Sequence, residues 1–167
     1  NFGFLFLEKY DSTHAIGVFR DCLKINKKYP AALVGIALAK KFESNAEAED
    51  YARAALEVNA NLVSAMALIA ELRIQEENYE AALREIGRAL AVNPSHLEAL
   101  SLQAVCHQLR GDMTAFAQTE KRVLAINPFY GRLYHVLAEN LVMRRKYQEA
   151  TEWDRKALEL DPRLWSA

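Results

Sequence analysis

Residues that interrupt or cross-link a chain are scarce in this sequence of 167 residues. It contains four prolines, six glycines and two cysteines, while 51% of its residues are hydrophobic and 26% are charged. So few turn-forming residues argue against an all-β fold, and so high an apolar fraction argues against a disordered chain. Cys22 and Cys106 form no CxxC pair, so we expect a fold that does not depend on disulfides. The composition therefore favours a helical globular protein.

The sequence also lacks an excess of either charge and a long apolar run. Lys and Arg number 21 against 22 for Asp and Glu, so the basic surface expected of a nucleic-acid or anionic-membrane binder is missing. No window approaches the roughly 18 apolar residues of a membrane span. The apolar residues 1–7 lack the basic flank and cleavage site of a signal peptide. We expect no nucleic-acid partner and no membrane segment, and the two unpaired cysteines favour a cytoplasmic location.

What the sequence does contain is a repeat of about 34 residues. Five predicted helices end in a run of Leu, two further residues, and Asn or Asp, and the leading leucines are 33 or 34 residues apart. These leucines are Leu23, Leu56, Leu90, Leu124 and Leu158. Pro94, Pro128 and Pro162 follow the last three runs, where a proline cannot continue the helix. A period of this length indicates a stack of repeated helical units.

Small residues recur with the same period. One column consists of Ala37, Ala70, Ala104 and Ala138. A second column consists of Ala15, Ala48, Ala82, Phe116 and Ala150, where Phe116 replaces a small residue. Small residues in register let two helix backbones approach closely. Both columns shorten by one residue between Ala37 and Ala48, so we expect a one-residue deletion in the turn around Ser44.

Each period is broken once near its middle, which predicts two helices joined by a tight turn. The predicted helices are 1–9, 14–25, 31–42, 46–58, 63–76, 79–92, 97–110, 113–126, 130–144 and 147–160. Because both ends of the sequence fall inside this pattern and the first residue is not Met, we expect the chain to be a piece of a longer protein.

The pattern resembles the tetratricopeptide repeat family, whose unit of 34 residues is a helix–turn–helix with small residues at fixed places. Residues that match the family pattern are Ile69, Ala70, Tyr79, Ala82, Ala89 and Pro94, and again Leu137, Ala138, Tyr147, Ala150, Ala157 and Pro162. The resemblance implies an all-α, right-handed α-solenoid of antiparallel helix pairs with about five repeats. The implied units are 1–29 (partial), 30–62 with the deletion, 63–96, 97–130, 131–164 and the start of another at 165–167, all in one continuous domain. No clear family motif is visible in residues 1–10.

One column turns acidic where the family usually packs an aromatic residue. It reads Phe19, Ala52, Ile86, Glu120 and Asp154. A buried carboxylate needs a partner. We expect His107 to pair with Glu120, and an arginine of the following repeat to pair with Asp154.

Motifs for catalysis or cofactor binding are missing from the sequence. There is no nucleotide-binding glycine pattern, no zinc-protease motif and no hydrolase nucleophile motif. His135 and Glu139 are the best metal candidate, but two ligands do not make a site. Cys106 and His107 are consecutive and do not face each other on a helix, and Cys22 occupies a small-residue column typical of a buried thiol. We therefore predict no catalytic residue, no metal and no cofactor.

The resemblance implies that the first helix of each pair lines a concave face that holds a peptide or a helix of a partner protein. The residues it places there are Val34, Leu38, Ser64, Ala67, Glu71, Glu98, Ser101, Val105, Gln108, Arg132, His135 and Glu139. One subtype of the family grips acidic chaperone tails with repeated Lys and Asn residues, and the matching positions here hold no such pair. We therefore predict an apolar or basic protein partner. The alternative is a structural spacer or oligomerisation segment attached to a catalytic or sensor domain, with self-association through the ends of the stack.

Overall fold

A computed structural model of the chain describes residues 2–9, 11–41 and 43–166, and the described residues form helices and turns without a strand. The ten α-helices are α1 (Phe2–Glu8), α2 (Ser12–Ile25), α3 (Pro30–Lys40), α4 (Asn45–Val58), α5 (Val63–Gln75), α6 (Tyr79–Val92), α7 (Leu97–Leu109), α8 (Met113–Ile126), α9 (Arg132–Met143) and α10 (Tyr147–Leu160), followed by a 3₁₀ helix at Pro162–Ser166. The helices predicted from the sequence are all present. Residues 1 and 42, which the predicted helices include, and residue 167 lie outside the described residues.

The second helix of most pairs begins at a polar residue that caps it. The side chains of Asp11, Ser44, Asn78 and Asp112 each accept a hydrogen bond from the backbone N–H three residues further on. Such bonds satisfy amide donors that the first helical turn leaves without a partner. α10 begins after Lys146 without a side-chain cap.

The residue that ends each second helix makes two hydrogen bonds. Its backbone N–H bonds to the carbonyl four residues earlier, and its side-chain oxygen accepts the N–H two residues later at 3.0–3.2 Å. These residues are Asn26, Asn59, Asn93, Asn127 and Asp161. The second bond is an Asx turn, which bends the chain toward the next helix. The residue in between donates to neither bond, so proline is accepted there.

The turn inside the second helix pair is one residue shorter than the others. The amide of Asn78 bonds to the carbonyl of Arg73, five residues earlier, and the turns ending at Asp11, Asp112 and Lys146 close in the same way. The amide of Ser44 bonds to Lys40, only four residues earlier. Glu77, Gly111 and Arg145 adopt positive φ in the longer turns.

The small-residue columns lie in the core between helices. Ala37, Ala70, Ala104 and Ala138 are all fully buried. Gly3 stands 34 residues before Ala37 and extends this column into α1, although no family motif is visible in residues 1–10. A β-carbon at Gly3 would lie 2.5 Å from the ring of Phe19, so the ring packs directly on the α1 backbone. α1 and α2 therefore form a helix pair like the four that follow.

The solenoid predicted from the sequence is confirmed by this arrangement. Each helix packs against its neighbours in the chain, and the first helices α3, α5, α7 and α9 also contact each other in sequence. One continuous apolar core runs from Ala67 to Leu164, and smaller clusters fill the space between α1 and α5. The surface formed by α3, α5, α7 and α9 is hereafter called the first-helix face.

Candidate functional site

Four of the residues predicted to line the first-helix face are buried. Val34, Ala67, Ser101 and Val105 expose at most 3% of their surface. Val34 packs with Leu33 and Leu68 in one cluster, and Ala67 and Val105 belong to the long core that also contains Ile74. The prediction that these four contact a partner does not fit this structure, because α5, α7 and α9 pack against each other instead of standing apart.

The other eight predicted residues reach the surface. Four are exposed: Ser64, Glu98, Arg132 and Glu139. Four are partly exposed: Leu38, Glu71, Gln108 and His135. Ser64, Glu98 and Arg132 occupy the same register in the first turns of α5, α7 and α9, so they repeat along the face. The accessible surface is therefore polar, and Leu38 is its remaining apolar residue among those predicted.

Glu71 forms an ion pair across two helix pairs. The Lys41 ammonium at the end of α3 lies 2.8 Å from its carboxylate, and both side chains are mostly buried. The sequence pattern presented Glu71 as an acid open to a partner and did not single out Lys41. Lys41 lies three residues after Leu38, so helical spacing alone places it near the same face. The negative charge available on this part of the face is thereby reduced.

His135 lies between two carboxylates at the end of the first-helix face. Its Nδ1 is 3.0 Å from Asp154 on α10, and its Nε2 is 3.7 Å from Glu139 one turn along α9. The expectation that an arginine of the following repeat pairs with Asp154 is therefore wrong. Among the residues that the structure describes, no three His, Cys, Asp or Glu side chains are grouped so that they could hold a metal ion.

Glu120 pairs with residues other than the predicted His107. The Tyr134 hydroxyl donates to its carboxylate at 2.6 Å, and the Lys156 ammonium lies 2.8 Å away. The same ammonium is 4.2 Å from the centre of the Tyr134 ring and 5.2 Å from that of Trp153. Burial and the bond to Glu120 raise the pKa of Tyr134. These contacts join α8 to α9 and α10 and satisfy the acidic position that the sequence pattern marked as unusual.

The two thiols differ in their surroundings. Cys106 is fully buried, and burial raises the pKa of its thiol to about 12. Cys22, expected to be buried, is partly exposed. A thiol held protonated is a poor nucleophile, so Cys106 offers no chemistry to a reaction at this face.

None of the helices that the structure describes is long and apolar enough to cross a membrane.

Comparison with known proteins identifies the repeat. Residues 67–131 match the family model described as "Tetratricopeptide repeat". A relative from Mycosarcoma maydis, the "Small glutamine-rich tetratricopeptide repeat-containing protein 2", is 30% identical over 86 residues, which is 52% of this chain. The match spans only 24% of that relative, about a quarter of its length.

Solved structures share the fold at low sequence identity. The Thermus thermophilus protein TTC0263, described as a thermophilic TPR protein, has a TM-score of 0.77 at 20% identity, covering 96% of this chain and 89% of its own. A MamA structure has a TM-score of 0.65 at 17% identity and covers 100% of this chain and 98% of its own. YrrB, described as a TPR protein with an unusual peptide-binding site, has a TM-score of 0.58 at 18% identity over 97% of this chain and 84% of its own.

Proposed function

The chain is a tetratricopeptide repeat protein, and we propose that it is a non-catalytic module that binds a peptide or helix of a partner protein on the first-helix face. The observation that carries this proposal is the register of Ser64, Glu98 and Arg132, which repeat on three consecutive first helices. Regularly spaced polar side chains can pair with successive groups of an extended chain. The family fold itself suggests a protein-interaction module, and one structural neighbour is described as having a peptide-binding site.

The partner segment we propose is basic, with some apolar residues. Glu98 and Glu139 are exposed on this face, and Leu38 offers a partly exposed apolar side chain. A segment with Lys or Arg would be attracted to these two carboxylates, whereas an acidic tail would be repelled. Affinity near micromolar, about −8 kcal/mol, is ordinary for such binding.

A second candidate function is a spacer or oligomerisation segment. The burial of Val34, Ala67, Ser101 and Val105 favours it, because four apolar or small residues predicted to contact a partner are already occupied by packing. A spacer needs only the stacked core and no selective surface. The two functions differ in whether the exposed acids of the first-helix face affect binding.

A selection from a displayed library of random linear peptides tests the proposal. We expect enriched peptides to contain Lys or Arg beside apolar residues. Their affinity should fall about tenfold or more in the double variant Glu98→Lys, Glu139→Lys, because two attractive charges become repulsive. The matched control is Glu80→Lys, Glu152→Lys, which makes the same charge change at exposed positions of α6 and α10.

The outcomes separate the two functions. Equal weakening by both double variants would mean that overall charge, and not this face, attracts the peptides. Failure to enrich any peptide would contradict the binding proposal and leave the spacer function. Sedimentation of the same protein would then show whether it associates with itself.

A further inference from the structure

One side chain joins helix pairs that are not neighbours in the stack. Arg144 ends α9, in the pair α9/α10, yet its Nη2 donates to the carbonyl of Ile74 in α5 at 2.7 Å. The pair α7/α8 lies between these two pairs in the chain. In a simple solenoid each unit contacts only the units beside it, so this hydrogen bond departs from the nearest-neighbour pattern.

The Arg144 guanidinium binds the ends of two helices at once. Its Nη1 donates to the carbonyl of Asn140 in the last turn of α9 at 2.9 Å, while Nη2 takes the carbonyl of Ile74 in the last turn of α5. Last-turn carbonyls lack partners within their own helix, and the negative end of the helix dipole attracts a cation. A planar guanidinium with several donors can serve both ends, which an ammonium cannot do in the same geometry.

The α5/α6 turn supplies further contacts to the same group. Glu77 lies 3.5 Å from Nε, the Tyr79 hydroxyl lies 3.4 Å from Nη2, and the Tyr79 ring lies 6.0 Å below the guanidinium carbon. The Arg144 side chain is only 14% exposed. A charge buried to this extent is stable only while its partners stay in place, so the position of α9 depends on the end of α5.

The packing beneath the guanidinium agrees with a closed arrangement. Ile74 and Val105 are fully buried on α5 and α7. They belong to the one apolar core that extends through α9 and α10.

We infer that Arg144 is a strap that ties α5 to α9 across α7, so that the three helix pairs from α5 to α10 open as one cooperative unit and their part of the first-helix face stays closed. This inference does not depend on the proposed partner. α1 to α4 lie outside the strap. We therefore expect them to open independently and at lower free energy.

Native-state hydrogen exchange of the whole chain tests the strap. Arg144→Met keeps the length of the side chain and removes its donors. We expect amides in the last turn of α5 and in the turn after it to exchange about tenfold faster, together with those at the end of α9, since both helix ends lose a charged donor. Amides of α2 and α4 should be unchanged.

Arg110→Met is the matched control, because Arg110 has the same register at the end of α7 and is exposed. It should leave exchange in α5 and α9 unchanged. Faster exchange at the end of α9 alone in Arg144→Met would overturn the inference, because Arg144 would then only cap its own helix. If Arg144→Met does not fold, Arg144→Lys is measured in the same way, since it keeps the charge but cannot donate to both carbonyls. Unchanged α5 exchange in that variant would equally overturn the strap.

Discussion

A β-carbon on Gly35 would lie only 2.3 Å from the ring of Phe19. The ring is fully buried between α1 and α3, and the ring of Phe4 meets its edge at a centroid distance of 5.1 Å. Gly35 is therefore present because α3 must pass close to an aromatic ring, and this close approach fixes the first helix pair on the second.

Gly35→Ala should destabilise the protein by about 1–3 kcal/mol, since the added methyl group overpacks a filled core. The control is Gly87→Ala, which lies inside α6 with no atom near the new methyl group. That change should stabilise the protein by about 0.5–1 kcal/mol through helix propensity. Urea unfolding measures both. Equal effects of the two substitutions would contradict the packing of Phe19 described above.

Removing the charge of Glu120 should weaken the junction of α8 with α9 and α10. Glu120→Gln keeps an acceptor for Tyr134 but loses the ion pair with Lys156, which is partly exposed and therefore contributes modestly. We expect a loss of about 1 kcal/mol in the free energy of unfolding. Glu152→Gln, at an exposed position of α10, is the control and should change it by less. A Glu120→Gln protein as stable as the control would mean that the pair with Lys156 contributes nothing.

The pKa of His107 should lie below that of an ordinary histidine and should not respond to Glu120. Burial lowers it, while the charge of Asp112 raises it and that of Arg110 lowers it. In an NMR titration Asp112→Asn should lower the pKa further and Arg110→Ala should raise it. Glu120→Gln should leave it unchanged, and a shift in that variant would restore the His107–Glu120 pairing expected from the sequence. Because the folded state holds this proton less tightly, His107 reduces stability as pH falls below its ordinary pKa.

Cys22 should react with a thiol reagent much faster than Cys106. Cys22 is partly exposed, whereas Cys106 is buried and its pKa is raised to about 12, so little thiolate forms near neutral pH. Cys22→Ser should therefore reduce labelling to the slow rate at which the chain unfolds. Rapid labelling that persists in this variant would show that Cys106 is accessible.

The helical stack follows from the sequence because its signals are local. The period, the capping residues such as Asn78 and the Asx turns such as that at Asn93 each depend on a few neighbouring residues. Exposure at the first-helix face depends instead on how closely α5, α7 and α9 approach. No single repeat encodes that distance, so the sequence pattern places Val105 at the surface although it is buried.

Pairings between distant residues are not predicted by the sequence pattern for the same reason. Lys156 reaches Glu120 from another helix pair, and Arg144 reaches Ile74 across two turns of the stack. Long side chains find partners according to geometry, and many arrangements are compatible with one sequence pattern. Gly3 is a different case, since its spacing from Ala37 is visible in the sequence but its contact with Phe19 is not.

The position of a bound peptide tests the central claim most directly. A peptide enriched from the displayed library, carrying a spin label, is titrated into the isotope-labelled protein, and the broadening of amide signals is measured. We predict the strongest broadening on the first-helix face, around Ser64, Glu98 and Arg132, and little on the outer helices α4, α6, α8 and α10. Broadening concentrated on those outer helices would contradict the claim.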